Sequence, residues 1–144
     1  MKDINNLCTY NVWSGTDYSN DLTGYTLGQM EAYSQEEYSI TGERSLKAKS
    51  KINTYNAINL STINVNEGDT LTGKIQVYHP QGGQINLRLS WSGGIISSDF
   101  NISNKTQSIS ISNEFTEEKS VNFILVLRSD TDLVYLDNIK LVKS

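Results

Sequence analysis

Few side chains in this sequence are suited to catalysis. The 144 residues include one His, His79, and one Cys, Cys8. His79 precedes Pro80 in an apparent turn, and no second imidazole exists to share a metal or complete a nucleophilic triad. Cys8 has no partner for an internal disulfide and reads as a small apolar side chain. Glu117-Glu118 falls in a turn with its side chains diverging. Glu31, Glu36, Glu37 and Asp99 show no pattern that would set two carboxyls across one bond at about 5–9.5 Å, as glycoside hydrolysis requires. No glycine motif for phosphates or dinucleotides is present. Catalysis is not expected.

Recognition chemistry is better supplied. Eight Tyr and two Trp offer flat apolar bodies with polar tips. Asn, Gln and Arg carry several donors in fixed geometry, and the amides also accept. Together they suit polar ligand contacts.

The rest of the composition narrows the setting. With 15 Asn, 18 Ser and 12 Thr, the chain favours turns and exposed strands over long helices. A net charge of −4 and a pI near 4.9 argue against a phosphate-tracking nucleic-acid surface. No apolar run approaches the roughly 18 residues of a membrane span, so membrane insertion is not expected. The opening Met1-Lys2-Asp3-Ile4-Asn5 has no apolar stretch of signal-peptide type. The expected location is extracellular or a virion surface, as part of a larger protein.

The elements that must position these side chains alternate with period two. Leu71, Gly73, Ile75 and Val77 share one face, leaving Gln76 and Tyr78 on the other. His79-Pro80-Gln81-Gly82-Gly83 reads as a hairpin connection. The chain then resumes with Ile85, Leu87, Leu89 and Trp91 against Asn86, Arg88, Ser90 and Ser92. Ile95-Ile96 opens a short strand, and Ile109 and Ile111 alternate with serines. The segment Val121–Leu127 is apolar on both faces, as expected of a covered central strand. In Val134–Val142 the phase shifts between Leu136 and Ile139, predicting a bulge at Asp137-Asn138.

Earlier in the chain, Leu7–Trp13, Ser45–Ser50 and Ala57–Leu60 are candidate strands. Ser14–Gly28 reads as a long loop and Gln29–Glu37 as the one candidate helix. Eight to ten short strands without a helical pattern predict one all-β domain over residues 1–144, an antiparallel β-sandwich or a barrel.

The order of short motifs resembles one family. Asn6-Leu7 opens the chain, Thr41-Gly42-Glu43-Arg44-Ser45-Leu46-Lys47-Ala48 follows, and Glu67-Gly68-Asp69-Thr70-Leu71 enters a strand. Val134-Tyr135-Leu136-Asp137-Asn138-Ile139-Lys140-Leu141 closes it. Together they resemble the jelly-roll carbohydrate-binding modules grouped around the cellulose- and xylan-binding families. The resemblance implies a jelly-roll sandwich with a concave sheet that binds a polysaccharide or oligosaccharide without catalysis. Tyr55, in Asn53-Thr54-Tyr55-Asn56, falls where relatives carry an aromatic sugar platform. Arg128 lies near a polar ligand contact, although its charge departs from the acid sometimes found there. Gln76, Tyr78, Asn86 and Arg88 complete the candidate ligand set. In many relatives the residue matching Asp137 helps hold a structural Ca²⁺, and here Glu43, Asp3 or Asp17 would supply the second carboxylate.

Plainer readings stand beside these. Tyr78 can simply cover a cross-strand neighbour, Trp91 can continue the core phase of Leu89, and Arg88 and Arg128 can be solvated charges. Asp137 can merely cap a turn. The same jelly roll can instead make protein contacts in a phage tail, baseplate or cell-surface protein, with an exposed Ile124 or Val126 as the adhesive patch.

Overall fold

Strands form wherever the alternation is strong. The computed structural model describes residues 26–27, 31–35, 45–50, 56–129 and 132–144. Ten strands lie within them: β1 (Thr26–Leu27), β2 (Glu31–Gln35), β3 (Ser45–Lys49), β4 (Ala57–Val65), β5 (Thr70–Tyr78), β6 (Gly83–Trp91), β7 (Gly94–Ile102), β8 (Gln107–Glu114), β9 (Lys119–Leu127) and β10 (Leu133–Lys143). They build two five-stranded sheets, which we call sheet A (order β1-β4-β9-β6-β7) and sheet B (order β2-β3-β10-β5-β8). Every pairing is antiparallel.

The core lies between the inner faces. Sheet B contributes Leu71, Ile75, Val77, Ile109, Ile111, Val134, Leu136, Ile139 and Leu141, all buried. Sheet A answers with Ile58, Leu60, Ile85, Leu87, Leu89, Val121, Phe123 and Leu125. Each fully buried aliphatic or aromatic side chain contributes about 2 kcal/mol from removal from water. Phe123 reaches furthest across. A Cβ on Gly73 of the opposite sheet would lie 2.6 Å from its ring, so β5 passes that ring only as glycine.

From β3 onward, one connection stays within a sheet: Ser92-Gly93, the two-residue turn between β6 and β7, with Gly93 at φ +93°. All the others cross from one sheet to the other. Three crossings meet at Asp132. Its carbonyl accepts the Ser50 N–H (2.9 Å) from the β3–β4 crossing. One carboxylate oxygen lies 3.0 Å from His79 Nε2 on the β5–β6 crossing. The other accepts the Ser129 N–H (2.9 Å) on its own β9–β10 crossing. His79 and Asp132 are both buried.

Several expectations change. His79–Gly83 is not a hairpin: it carries the chain from sheet B to sheet A, so β5 and β6 are not neighbours. Glu31–Gln35, inside the candidate helix, is a strand paired with β3, because sheet pairing overrides a weak helical pattern. Thr26–Leu27, inside the supposed long loop, pairs with β4. Ile95-Ile96 belongs to a nine-residue strand. The first candidate strand, Leu7–Trp13, lies outside the described residues.

Other expectations hold. β9 sits centrally between β4 and β6. The register slips between Asp137 and Lys140, with Asn138 at φ +47°, the bulge that the phase shift implied.

The knot at Asp132 is directly testable. Asp132→Ala leaves the buried His79 imidazole and the Ser129 amide without their acceptor. Urea denaturation is expected to show a loss of about 3 kcal/mol; a loss below about 0.5 kcal/mol, typical of an unimportant surface change, contradicts this account of the crossings.

Candidate functional site

The outer face of sheet A presents three strands in known register. Asn86 of β6 faces Asp99 of β7 on one side and Val126 of β9 on the other. One step along, Arg88 faces Ser97 and Ile124. Arg128 follows β9 on the same phase as Val126 and Ile124. A polar network therefore borders an apolar strip formed by Ile124 and Val126.

The network is closed on its inner side. Asn86, 1% exposed, commits both ends of its amide: Nδ2 donates to Asp99 Oδ1 (2.9 Å) and Oδ1 accepts Arg88 Nε (2.6 Å). Arg128 donates to the same Asp99 oxygen through Nε (3.2 Å) and Nη2 (2.9 Å). Asp99 Oδ1 thus takes three donors, and Oδ2 takes no hydrogen bond from the described residues. The Asn86 amide, then the Arg128 guanidinium, hold the Asp99 carboxyl below the usual carboxylate range.

An ionised acceptor and a guanidinium, fixed side by side on a half-open face, match two neighbouring hydroxyl groups. Asp99 Oδ2 can accept from one hydroxyl and the Arg128 guanidinium can donate to another. Further along the face, Thr62 Oγ1 donates to Asn122 Oδ1 (2.6 Å), so the polar border continues past Ile124 toward β4.

The structure divides the sequence-based set. Asn86, Arg88 and Arg128 come together on sheet A. Gln76 and Tyr78 do not join them, because the β5–β6 crossing puts them on the outer face of sheet B. There Gln76 accepts a hydrogen bond from Asn138 Nδ2. Tyr78 stacks on Tyr135 of the neighbouring strand at 6.1 Å, the plainer reading of an exposed strand tyrosine. Trp91 also takes its plainer role, packing against the core with its ring 5.0 Å from Phe115, edge to face. Tyr55 and Glu43 lie outside the described residues.

Asp137 is fully buried, and one of its oxygens accepts the Asn138 N–H (2.8 Å). Among the described residues no group of three His, Cys, Asp or Glu side chains is gathered for a metal. The adhesive patch envisaged at Ile124 and Val126 is not bare. Ile124 is half-buried and Val126 is buried, and among the described residues the exposed large apolar side chain is Ile95.

Asp99, the carboxylate at the centre of this network, was missed by sequence reasoning. A signal existed, since counting outward from the two-residue Ser92-Gly93 turn places Asp99 opposite Asn86.

No family model matches the chain, and no curated protein matches it by sequence. Solved structures do match. The C-terminal family 22 carbohydrate-binding module of Clostridium thermocellum Xyn10B aligns with a TM-score of 0.65 at 14% identity, over 99% of this chain and 96% of the module. TmCBM61, solved in complex with β-1,4-galactotriose, aligns at 0.59 and 12% identity, over 87% of this chain and 92% of that one. An arabinose-bound α-L-arabinofuranosidase, MgGH51, aligns at 0.71 and 12% identity over 93% of this chain, which spans only 26% of that protein. At these identities the likeness establishes the fold, a jelly-roll β-sandwich of the kind found in carbohydrate-binding modules.

The state of Asp99 has a sign that can be checked. With its carboxyl held down by Asn86 and Arg128, it stays ionised below the ordinary value of 3.8, and the ties weaken only as pH falls through the lowered midpoint. Carboxyl NMR titration is expected to place the Asp99 midpoint below 3.8; a midpoint at or above 3.8 contradicts the network.

Proposed function

We propose that this chain is a non-catalytic glycan-binding module that attaches a larger protein or particle to a polysaccharide or oligosaccharide at the cell exterior or virion surface. The observation that carries the reading is the Asp99–Arg128 pair, an acceptor and a donor fixed by Asn86 and Arg88 beside the apolar strip of Ile124. The fold shared with carbohydrate-binding modules, one of them solved with a galactotriose, supports a saccharide as the ligand class.

In this reading a sugar lays a C–H face against Ile124 while neighbouring hydroxyls engage Asp99 and Arg128. Tyr55 is proposed to add a stacking ring, as its place in the family-like pattern implies. Binding needs no chemical step. Selectivity comes from hydroxyl geometry, because a sugar that presents the wrong hydroxyl leaves a charged group unpaired.

A glycan array tests the reading. The folded chain is expected to bind a restricted set of saccharides. Arg128→Ala should weaken the best of them by about tenfold, the scale of one charge-assisted hydrogen bond, and Tyr55→Ala should also weaken it without unfolding the domain. A blank array with folded protein contradicts the proposal and transfers the weight to protein contacts. Undiminished affinity in Arg128→Ala moves the site away from this face.

Asp137 and Glu43 are proposed as carboxylates of one structural Ca²⁺ site. Added Ca²⁺ is expected to raise the melting temperature of the chain and not that of Asp137→Asn. Equal shifts in both, or none in either, contradict the assignment.

A further inference from the structure

The outer face of sheet A carries more than the Asp99 network. Two residues before Ile124 on β9, Asn122 faces Thr62 of β4 on one side and Ser90 of β6 on the other. Ser90 in turn faces Ile95 of β7. These four uncharged side chains make a row across the sheet. The face also opens toward that row. Ala57, Val126 and Asn86, in line with Asp99, are buried, whereas Asn59, Ile124 and Arg88 in the next row are half-buried. In the row of Asn122, Thr62 and Ile95 are exposed.

Asn122 is held in place before any ligand arrives. Its Oδ1 accepts the Thr62 hydroxyl at 2.6 Å, and the Asn59 amide lies 3.0 Å from the same hydroxyl oxygen. With Oδ1 engaged, Nδ2 is the end of the amide that presents donors, on a side chain that is only half-buried. A fixed amide needs little further ordering when it binds.

Ile95 supplies an apolar surface in the same row, 54% exposed. An exposed isoleucine by itself is ordinary; this one stands in register with a fixed amide. Ile95 and Ile124 are one row apart along the strands and two strands apart across the sheet, about 12 Å between them. One sugar ring cannot cover both.

We infer that Thr62, Asn122, Ser90 and Ile95 form a second sugar subsite, and that Asn122 selects the unit bound there. The ligand is then a linear oligosaccharide running along the strands from Asp99 and Arg128 toward Asn122 and Ile95. The inference rests on the glycan-binding reading of the sheet A face and adds to it the length of the ligand and the contact of its outer unit. Asn122 gives hydrogen bonds through Nδ2 while its oxygen stays with Thr62, so it favours a unit that turns an accepting oxygen toward it.

Calorimetric titration of the whole chain with β-1,4-linked galactose, xylose and glucose oligomers of one to six units tests this. At least one series is expected to bind, with affinity rising about tenfold or more as units are added and then levelling off. Asn122→Asp keeps the shape and the acceptor for Thr62 but loses the donor, and it should remove that rise. Ile95→Ser should cut the rise severalfold, while Arg128→Ala should weaken every length alike. Affinity that does not depend on length overturns the inference, as does a rise that survives both Asn122→Asp and Ile95→Ser. In those two cases continued weakening by Arg128→Ala keeps the Asp99–Arg128 site. An equal loss at every length in Asn122→Asp makes the amide a support of the sheet and also overturns the inference. Full affinity in Arg128→Ala with loss in the other two variants keeps this row as a site but overturns the two-part span. No binding by any of these oligomers to folded protein overturns the inference, and a blank glycan array beside it overturns the glycan-binding reading as well.

Discussion

The hydrogen bonds of Asp132 organise the sandwich. A chain that changes sheets at almost every connection must cross the open end of the core repeatedly, and each crossing carries backbone groups that need partners. Three of these crossings are fastened to one residue, through its carbonyl and both carboxylate oxygens. The buried His79 imidazole lies against the same carboxylate and anchors the end of β5. At the opposite end the backbone supplies the ties directly. Gly68 and Asp69 exchange hydrogen bonds with Phe115, and Thr70 pairs with Ser144 in both directions. With both ends tied, the two inner faces approach closely enough for Phe123 to lie on Gly73.

Those crossings also decide which side chains can act together. Residues that alternate on consecutive strands share a face only when the strands share a sheet. The β5–β6 crossing therefore splits one apparent set of polar residues into two surfaces. Sheet A presents an ionised acceptor locked to a guanidinium beside Ile124, and Gln76 and Tyr78 lie on sheet B.

Much of the architecture was legible because strand burial repeats every second residue. The inward sets Leu71–Val77 and Ile85–Leu89, the covered central strand at Val121–Leu127 and the bulge after Asp137 all follow from that period. The path between strands was not legible. Pro80, Gly82 and Gly83 announce a reversal but carry no information about which sheet receives the chain. Glu31–Gln35 was misread because its partner in β3 lies beyond any local window. Of the sheet A network, Asn86, Arg88 and Arg128 were singled out by phase and family likeness, while Asp99 was overlooked among the serines of an edge strand. Its importance appears only once the register with Asn86 is known.

The sheet A face depends on preorganisation. Asn86 is buried and committed at both ends of its amide, so Asp99 and Arg128 are held in place before any ligand arrives, which lowers the ordering cost of binding. The most direct test follows backbone amide shifts by NMR while a saccharide is titrated into the labelled chain. The account predicts the largest changes at Arg88, Ser97, Asp99, Ile124 and Arg128, with β5 and β8 little affected by a neutral sugar. Changes confined to sheet B, or spread evenly with no cluster around Asp99, would contradict it.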